Sequence, residues 1–256
     1  GELYPPKRGD EHRVANRSDF KKIEVGALIA GGGIAGSALF RYMADSGLNP
    51  VLVNADRGSS WRNIGGGRTA FSLPELAEIA EHNHTIFKEL QKISNIDYKT
   101  TRYINLAHDE PTFNALDASR AWSDAYMVDP KNFQKEISPY FSTKSKRYLG
   151  ALITNDCWQA TPGKVVDLIR NMGISAGGRI VEDCKVLEVM KEGSTYSILV
   201  LTHDKKYVEF RTEIFVNALG AGAGKICEGL GIHAGLYPVR HQAFITRRLP
   251  MLGKNG

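Results

Sequence analysis

The sequence predicts an α/β fold organised around one β-α-β unit, on three observations within residues 25–56: two apolar runs, a glycine-rich turn after the first, and a helical repeat joining them. Ala27, Leu28, Ile29 and Ala30 show no polar alternation, as a central parallel strand covered on both faces requires. The turn Gly31-Gly32-Gly33-Ile34-Ala35-Gly36 follows at once and fits G-x-G-x-x-G. It opens a helix in which Ala35, Leu39, Tyr42 and Met43 recur at helical spacing, and Gly47 ends it. Val51, Leu52 and Val53 form the second strand.

This geometry is that of a dinucleotide-binding turn. Gly31 permits the tight bend, Gly33 lets a pyrophosphate approach the backbone, and Gly36 seats the helix close on the strand. The N–H groups and positive end of the helix, starting at Ile34 and Ala35, then face the anion. The acidic residue that would grip a ribose is expected about 20 residues on. At the end of the second strand stands Asn54 instead, followed by Ala55 and Asp56. Asn54 can hydrogen-bond a hydroxyl without the strength of a carboxylate, and Asp56 is either the substitute acid or an ordinary turn aspartate.

The 256 residues, 42% hydrophobic and 24% charged, are enough for one large or two small globular domains. No apolar run reaches a membrane span, and no signal peptide is expected before the first strand, which together predict a cytoplasmic protein. Residues 1–22 read as an extended lead-in. Cys157, Cys184 and Cys227 are widely spaced, as free thiols in a reducing compartment are. His82 and His84 lie two apart and so on different helix faces, so no metal site is expected. The net charge of +5 is scattered, with Lys144, Lys146 and Arg147 the nearest thing to a cluster; this predicts a solvated face and not nucleic-acid binding.

After the second strand, residues 57–71 form a loop with three consecutive glycines, Gly65, Gly66 and Gly67, bracketed by Arg62 and Arg68. Such a loop suits backbone that lies against a flat ligand, and either arginine can meet a phosphate or carboxylate with its planar fork. From Pro74 a helix carries the apolar stripe Leu76, Ile79, Ile86, Phe87, Leu90 and Ile93, read as core. A strand over 103–107 and short helices over 111–122 and 130–137 interrupt the alternation and predict an inserted domain. Residues 151–153 return as strand, 156–162 as loop, and a helix from Pro162 is lined by Val165, Val166, Leu168, Ile169 and Met172. Strands follow over 179–181, 184–190, 194–202, 207–211 and 213–218, the third and fourth forming a hairpin about 204–206. The last runs into Leu219-Gly220-Ala221-Gly222, a second glycine turn and a second close approach to the same ligand.

These segments carry a resemblance. GGGIAG between its strands, Asn63-Ile64-Gly65-Gly66-Gly67, Cys184 to Val189, Val216-Asn217-Ala218-Leu219-Gly220-Ala221 and Tyr237-Pro238-Val239-Arg240-His241-Gln242 are similar, in that order, to the flavin-dependent D-amino-acid oxidase superfamily, which includes glycine, sarcosine and related amine oxidases and dehydrogenases. The likeness runs over residues 24–248. It implies a Rossmann-like FAD-binding domain with an inserted α+β substrate domain that is incomplete. Residues 23–72 and 151–225 would bind FAD, and 73–150 with 226–256 would form part of the substrate domain. The pyrophosphate would lie on Gly31, Gly33, Ile34, Ala35 and Gly36, the ribose near Asn54, Ala55 or Asp56, and the adenine against Val186. Arg62, Asn63 and Gly65 to Arg68 would follow the flavin, with Ala218, Leu219 and Gly220 near the pyrophosphate. Such proteins continue well past the equivalent of Gln242, so the chain is expected to be a fragment, a cleaved product or one subunit of a split enzyme.

The activity implied is oxidation of a C–N bond in an amino acid or secondary amine, with hydride passing to the flavin. No catalytic residue is assigned beyond Arg68, which either stabilises charge at the flavin or substrate or is a surface arginine paired with an acid. Two alternatives stand beside it: an NAD-linked dehydrogenase, and an FAD-binding subunit that needs a second polypeptide.

Overall fold

The computed structural model describes residues 20–55, 58–141, 147–240 and 242. Asp56, Lys144, Lys146, His241, most of the lead-in and the stretch from 243 onward lie outside the described residues. In chain order the elements are β1 (Lys21–Glu24), β2 (Ala27–Ala30), α1 (Ile34–Asp45), β3 (Pro50–Val53), β4 (Gly66–Gly67), α2 (Pro74–Ile93), β5 (Lys99–Ala107), α3 (Glu110–Ala118), β6 (Ala125–Val128) and α4 (Phe133–Glu136). There follow β7 (Gly150–Gln159), α5 (Pro162–Ser175), β8 (Arg179–Val181), β9 (Lys185–Glu192), β10 (Thr195–Leu201), β11 (Tyr207–Thr212), β12 (Phe215–Asn217) and α6 (Ala223–Gly229). They divide between two compact units, one drawn from residues 1–56 and 173–237, the other from 57–172 and 238–256.

The first unit holds a parallel sheet in the order β12-β2-β3-β8 and a second sheet in the order β1-β11-β10-β9. Every residue of β2 and β3 is buried, as their unbroken apolar runs require. Between the sheets lies a core of Leu28, Ala30, Val51, Val53, Val189, Ile198, Val200 and Phe210. The other face of the parallel sheet packs Ile29 and Leu52 against Phe40 of α1. The buried side of α1 is Gly36, Ser37, Phe40 and Ala44, whereas Ala35 and Tyr42 of the expected stripe face solvent. The helix is turned because Gly36 must meet the strand: a Cβ there would overlap the Gly31 carbonyl oxygen. Strand β1, read as the end of an extended lead-in, pairs in parallel with β11.

The second unit is built on β7, which pairs antiparallel with β4, β5 and β6. β7 runs unbroken through Gln159, so Asp156 to Gln159, expected as loop, is strand held by β5 and β4. Asn155 and Asp156, weak strand formers, fall at the register shift between the pairs Thr154–Tyr103 and Cys157–Thr101, and the ladder resumes beyond them. β6, which the sequence reading lacked, completes the sheet and contributes Tyr126 and Val128 to a core with Phe133, Ala151 and Ile153. On α2 the buried residues are Ala77, Ala80, His84 and Leu90, while Leu76, Ile79 and Ile93 of the expected stripe are exposed. The seam is thus set by small side chains that allow close approach. Ile86, Phe87 and Leu90 do join Val165 and Ile169 of α5 in one cluster.

Candidate cofactor-binding site

The glycine turn is formed by backbone demands that a side chain would break. Gly31 sits at φ +107°, where its Cβ would overlap the Ala218 carbonyl oxygen. Its N–H donates to the Val53 oxygen, and the Ala218 N–H donates to the Ala30 oxygen. The first turn after β2 and the turn after β12 therefore lie side by side. Helix α1 begins at Ile34 with Gly33 as its N-cap, no side-chain cap and no acidic residue in its first turn. The positive end of the helix dipole thus carries no acidic side chain of its own first turn, the setting in which an anion is favoured. Gly220, at φ +56°, has open space where its Cβ would stand.

Asn54 is 7% exposed and fully engaged. Its Oδ1 accepts the Gly32 N–H at 3.1 Å, and its Nδ2 donates to Glu182 Oε2 at 2.9 Å. The amide thus pins the turn on one side and a carboxylate on the other, with Ala55 exposed beyond it. Glu182 was absent from the sequence reading, being 128 residues away; only the parallel register of β3 and β8, Val53 opposite Val181, brings it here. Val186 is partly buried against the core that contains Val53 and Cys184.

In the second unit the loop over 62–68 is shaped by its own contacts. Asn63 donates to the Ser60 oxygen at 2.8 Å and accepts the Gly65 N–H at 2.7 Å, while Arg62 is exposed. Gly65, at φ +71°, lies against the Ala160 carbonyl, and Gly66–Gly67 pairs with β7 opposite Gln159 and Trp158. The flat group that Gly67 meets within the chain is the Trp158 indole, which a Cβ at 67 would overlap; a Cβ at Gly66 would come no nearer than 3.8 Å to Ile64. Arg68 stands 4.5 Å over the Phe71 ring and 5.4 Å from that of Tyr103, and donates to Asn105 Oδ1 at 3.4 Å. Among the described residues no ion pair to Arg68 occurs beside these contacts. Thr154, across from Tyr103 in β7, is wholly buried with its hydroxyl lacking a hydrogen-bond partner among the described residues.

Behind that loop lies a polar chain. His84 is 2% exposed and stacks on Trp158 with centroids 4.5 Å apart and planes within 8°. Its Nδ1 is 3.3 Å from Asp156 Oδ2 and its Nε2 2.6 Å from the Tyr98 hydroxyl. Burial pushes the His84 pKa below the usual 6.5, outweighing the pull of Asp156. A neutral ring must then carry its proton on Nδ1, toward the acceptor-only carboxylate, and accept from Tyr98. Burial also raises the Cys157 and Cys184 thiols, leaving them protonated and unreactive. No cluster of three or more metal-ligating side chains occurs among the described residues. None of the described helices is long and apolar enough to cross a membrane.

The sequence profile described as FAD dependent oxidoreductase matches residues 27–255, so the chain belongs to that family, the DAO family. A curated relative, the anaerobic glycerol-3-phosphate dehydrogenase subunit A1 of Haloferax volcanii, is 26% identical over 240 residues, covering 82% of this chain and 39% of its own. Among solved structures, L-proline dehydrogenase from P. horikoshii superposes with a TM-score of 0.68 at 20% identity, over 83% of this chain and 56% of that one. Glycine oxidase from Geobacillus kaustophilus does so with a TM-score of 0.66 at 18% identity, over 81% and 58%. The chain thus spans well under two thirds of these relatives.

The cofactor of this class is FAD, and the NAD-linked alternative gives way to it. The residues present fit that group. The start of α1 has Gly33 as N-cap and no acidic residue in its first turn, the Gly31 turn has no side chain to obstruct a diphosphate, and Asn54 with Glu182 supplies polar groups at the carboxyl edge of β3 and β8.

Proposed function

We propose that this chain is the cofactor-binding portion of an enzyme that oxidises a C–N bond in an amino acid or secondary amine. The observation that carries it is the Gly31 turn lying against the turn after β12 at the start of α1, in a chain of the FAD dependent oxidoreductase family. Bound FAD supplies the two-electron acceptor for the hydride leaving the substrate carbon. Gly31, Gly33, Ile34, Ala35 and Gly36 hold the diphosphate, and Ala218 to Gly220 close over it. Asn63 and the loop through Arg68 serve the flavin side, and Val186 the adenine. Residues 23–72 and 151–225 carry the cofactor, and 73–150 with 226–256 contribute to substrate binding.

Arg68 anchors the substrate's anionic group. Two aromatic faces hold its guanidinium flat, and no carboxylate among the described residues neutralises it. A substrate carboxylate satisfies the amine reading. The Haloferax volcanii relative favours a second reading, oxidation of the secondary alcohol of glycerol 3-phosphate with a phosphate at the same cation. That relative's designation as a subunit also supports a second polypeptide as partner. A cytoplasmic setting belongs to the same proposal, supported by the free state of Cys157, Cys184 and Cys227.

Anaerobic mixing of the FAD-loaded protein, with any copurifying chain, against glycine, sarcosine, L-proline and glycerol 3-phosphate separates these readings. Bleaching of the flavin by one of the three amines supports the first. Bleaching by glycerol 3-phosphate alone overturns it in favour of the second.

A further inference from the structure

The ribose-binding carboxylate expected at the end of β3 is missing there, because Asn54 occupies the place. From the geometry at the neighbouring strand we infer that Glu182, at the end of β8, takes over this role and binds the vicinal hydroxyls of the adenosine ribose, with Asn54 as its positioning residue. The inference rests on the assignment of FAD to this turn.

Three observations support it. First, the Asn54 amide has its orientation fixed by chemistry: the Gly32 N–H needs an acceptor and the Glu182 carboxylate needs a donor, so Oδ1 faces the turn and Nδ2 the acid. An aspartate at 54 would accept from Gly32 equally well but would set two carboxylates against each other. Asparagine is therefore what an acid on β8 demands of β3. Second, the backbone clamps Glu182 in place. The Asn54 N–H donates to the Val181 oxygen and the Cys184 N–H donates to the Asn54 oxygen, both at 3.0 Å, so Glu182 and Asp183 form a two-residue excursion pinned at both ends to one residue of β3. Third, Asp183 sits at φ +52°, the left-handed conformation that aspartate tolerates as a single turn residue, so the chain bends sharply straight after Glu182. Glu182 is thereby exposed at the carboxyl edge of the parallel sheet, beside Gly32, where a ligand on this turn is met. One oxygen of its carboxylate takes the Asn54 amide, and an ionised carboxylate is an acceptor-only group with about four lone-pair sites, the chemistry that vicinal hydroxyls require.

The test is equilibrium titration of deflavinated protein with FAD, read by flavin fluorescence, for wild type, Glu182→Gln, Asn54→Asp and the double variant, with apo-protein unfolding midpoints in parallel. Loss of a charged hydrogen bond predicts that Glu182→Gln weakens FAD binding by about ten-fold or more at an unchanged apo midpoint. Asn54→Asp weakens it too, and the double variant, which moves the acid back to β3 and the amide to β8, recovers to within about three-fold of wild type. Recovery by charge exchange is a result that a merely structural pair would not produce. Wild-type affinity retained within two-fold by Glu182→Gln overturns the inference while leaving the FAD assignment intact, as does a double variant no better than the worse single one. A wild type that binds no FAD overturns both.

Discussion

Gly67 is glycine because Trp158 lies where its side chain would be: a Cβ at 67 would overlap the indole. Overpacking of a buried ring forces rotamer and backbone shifts, so Gly67→Ala should lower unfolding stability by about 1–3 kcal/mol. Gly66→Ala, with only Ile64 in reach, should leave stability within about 0.5 kcal/mol. Urea titration measures both. If Gly66→Ala also lowers FAD affinity, the outward side of this pair is the one that faces the flavin.

The same indole stacks on His84, which links the loop's support to pH. The folded state keeps this ring neutral, with its pKa depressed below 6.5, while the unfolded chain titrates near that value. As pH falls through 6.5 toward the folded pKa, the unfolded state takes up the proton first, and stability falls with it. Unfolding free energies at pH 7.5 and 5.5 should differ more for wild type than for His84→Gln. Equal differences in the two proteins would remove His84 from the account.

Gly36 contacts the Gly31 oxygen directly, so Gly36→Ala must push α1 off β2. The N–H donors at the start of α1 then miss the diphosphate, and FAD affinity should fall at least ten-fold, together with a loss of stability. Calorimetric titration of the refolded variant measures the first, thermal melts the second.

Arg68 offers a cleaner separation of binding from folding, since aromatic faces and one weak amide contact hold it and no ion pair to it occurs among the described residues. Arg68→Ala should raise the KM for the substrate identified by flavin bleaching by about ten- to one-hundred-fold, a larger change than any it makes in FAD affinity. Arg68→Lys should recover only part, because a point charge does not reproduce a planar fork stacked between rings. Unchanged KM in Arg68→Ala would return the residue to the role of surface support.

The cofactor turn was legible in the sequence because its causes are local. Two unbroken apolar runs and a fixed glycine spacing bound β2, α1 and β3 within thirty residues, and the glycine after β12 could be read the same way. What escaped reading depends on register or on close packing. Glu182 reaches Asn54 only through parallel pairing of strands far apart in sequence. The buried faces of α1 and α2 are set by Gly36, Ala77 and Ala80, small residues that an apolar stripe undervalues. His84 looked like one of two mismatched ligands; Tyr98, Trp158 and Asp156, from other elements, make it a buried hub.

The measurement that bears most directly on the central claim is the absorbance spectrum of the natively purified protein, with the flavin released by denaturation and quantified. The account predicts the visible absorbance of an oxidised flavin and about one FAD per chain, lost or strongly reduced in Gly36→Ala. A colourless wild-type protein that takes up no FAD on titration would contradict it.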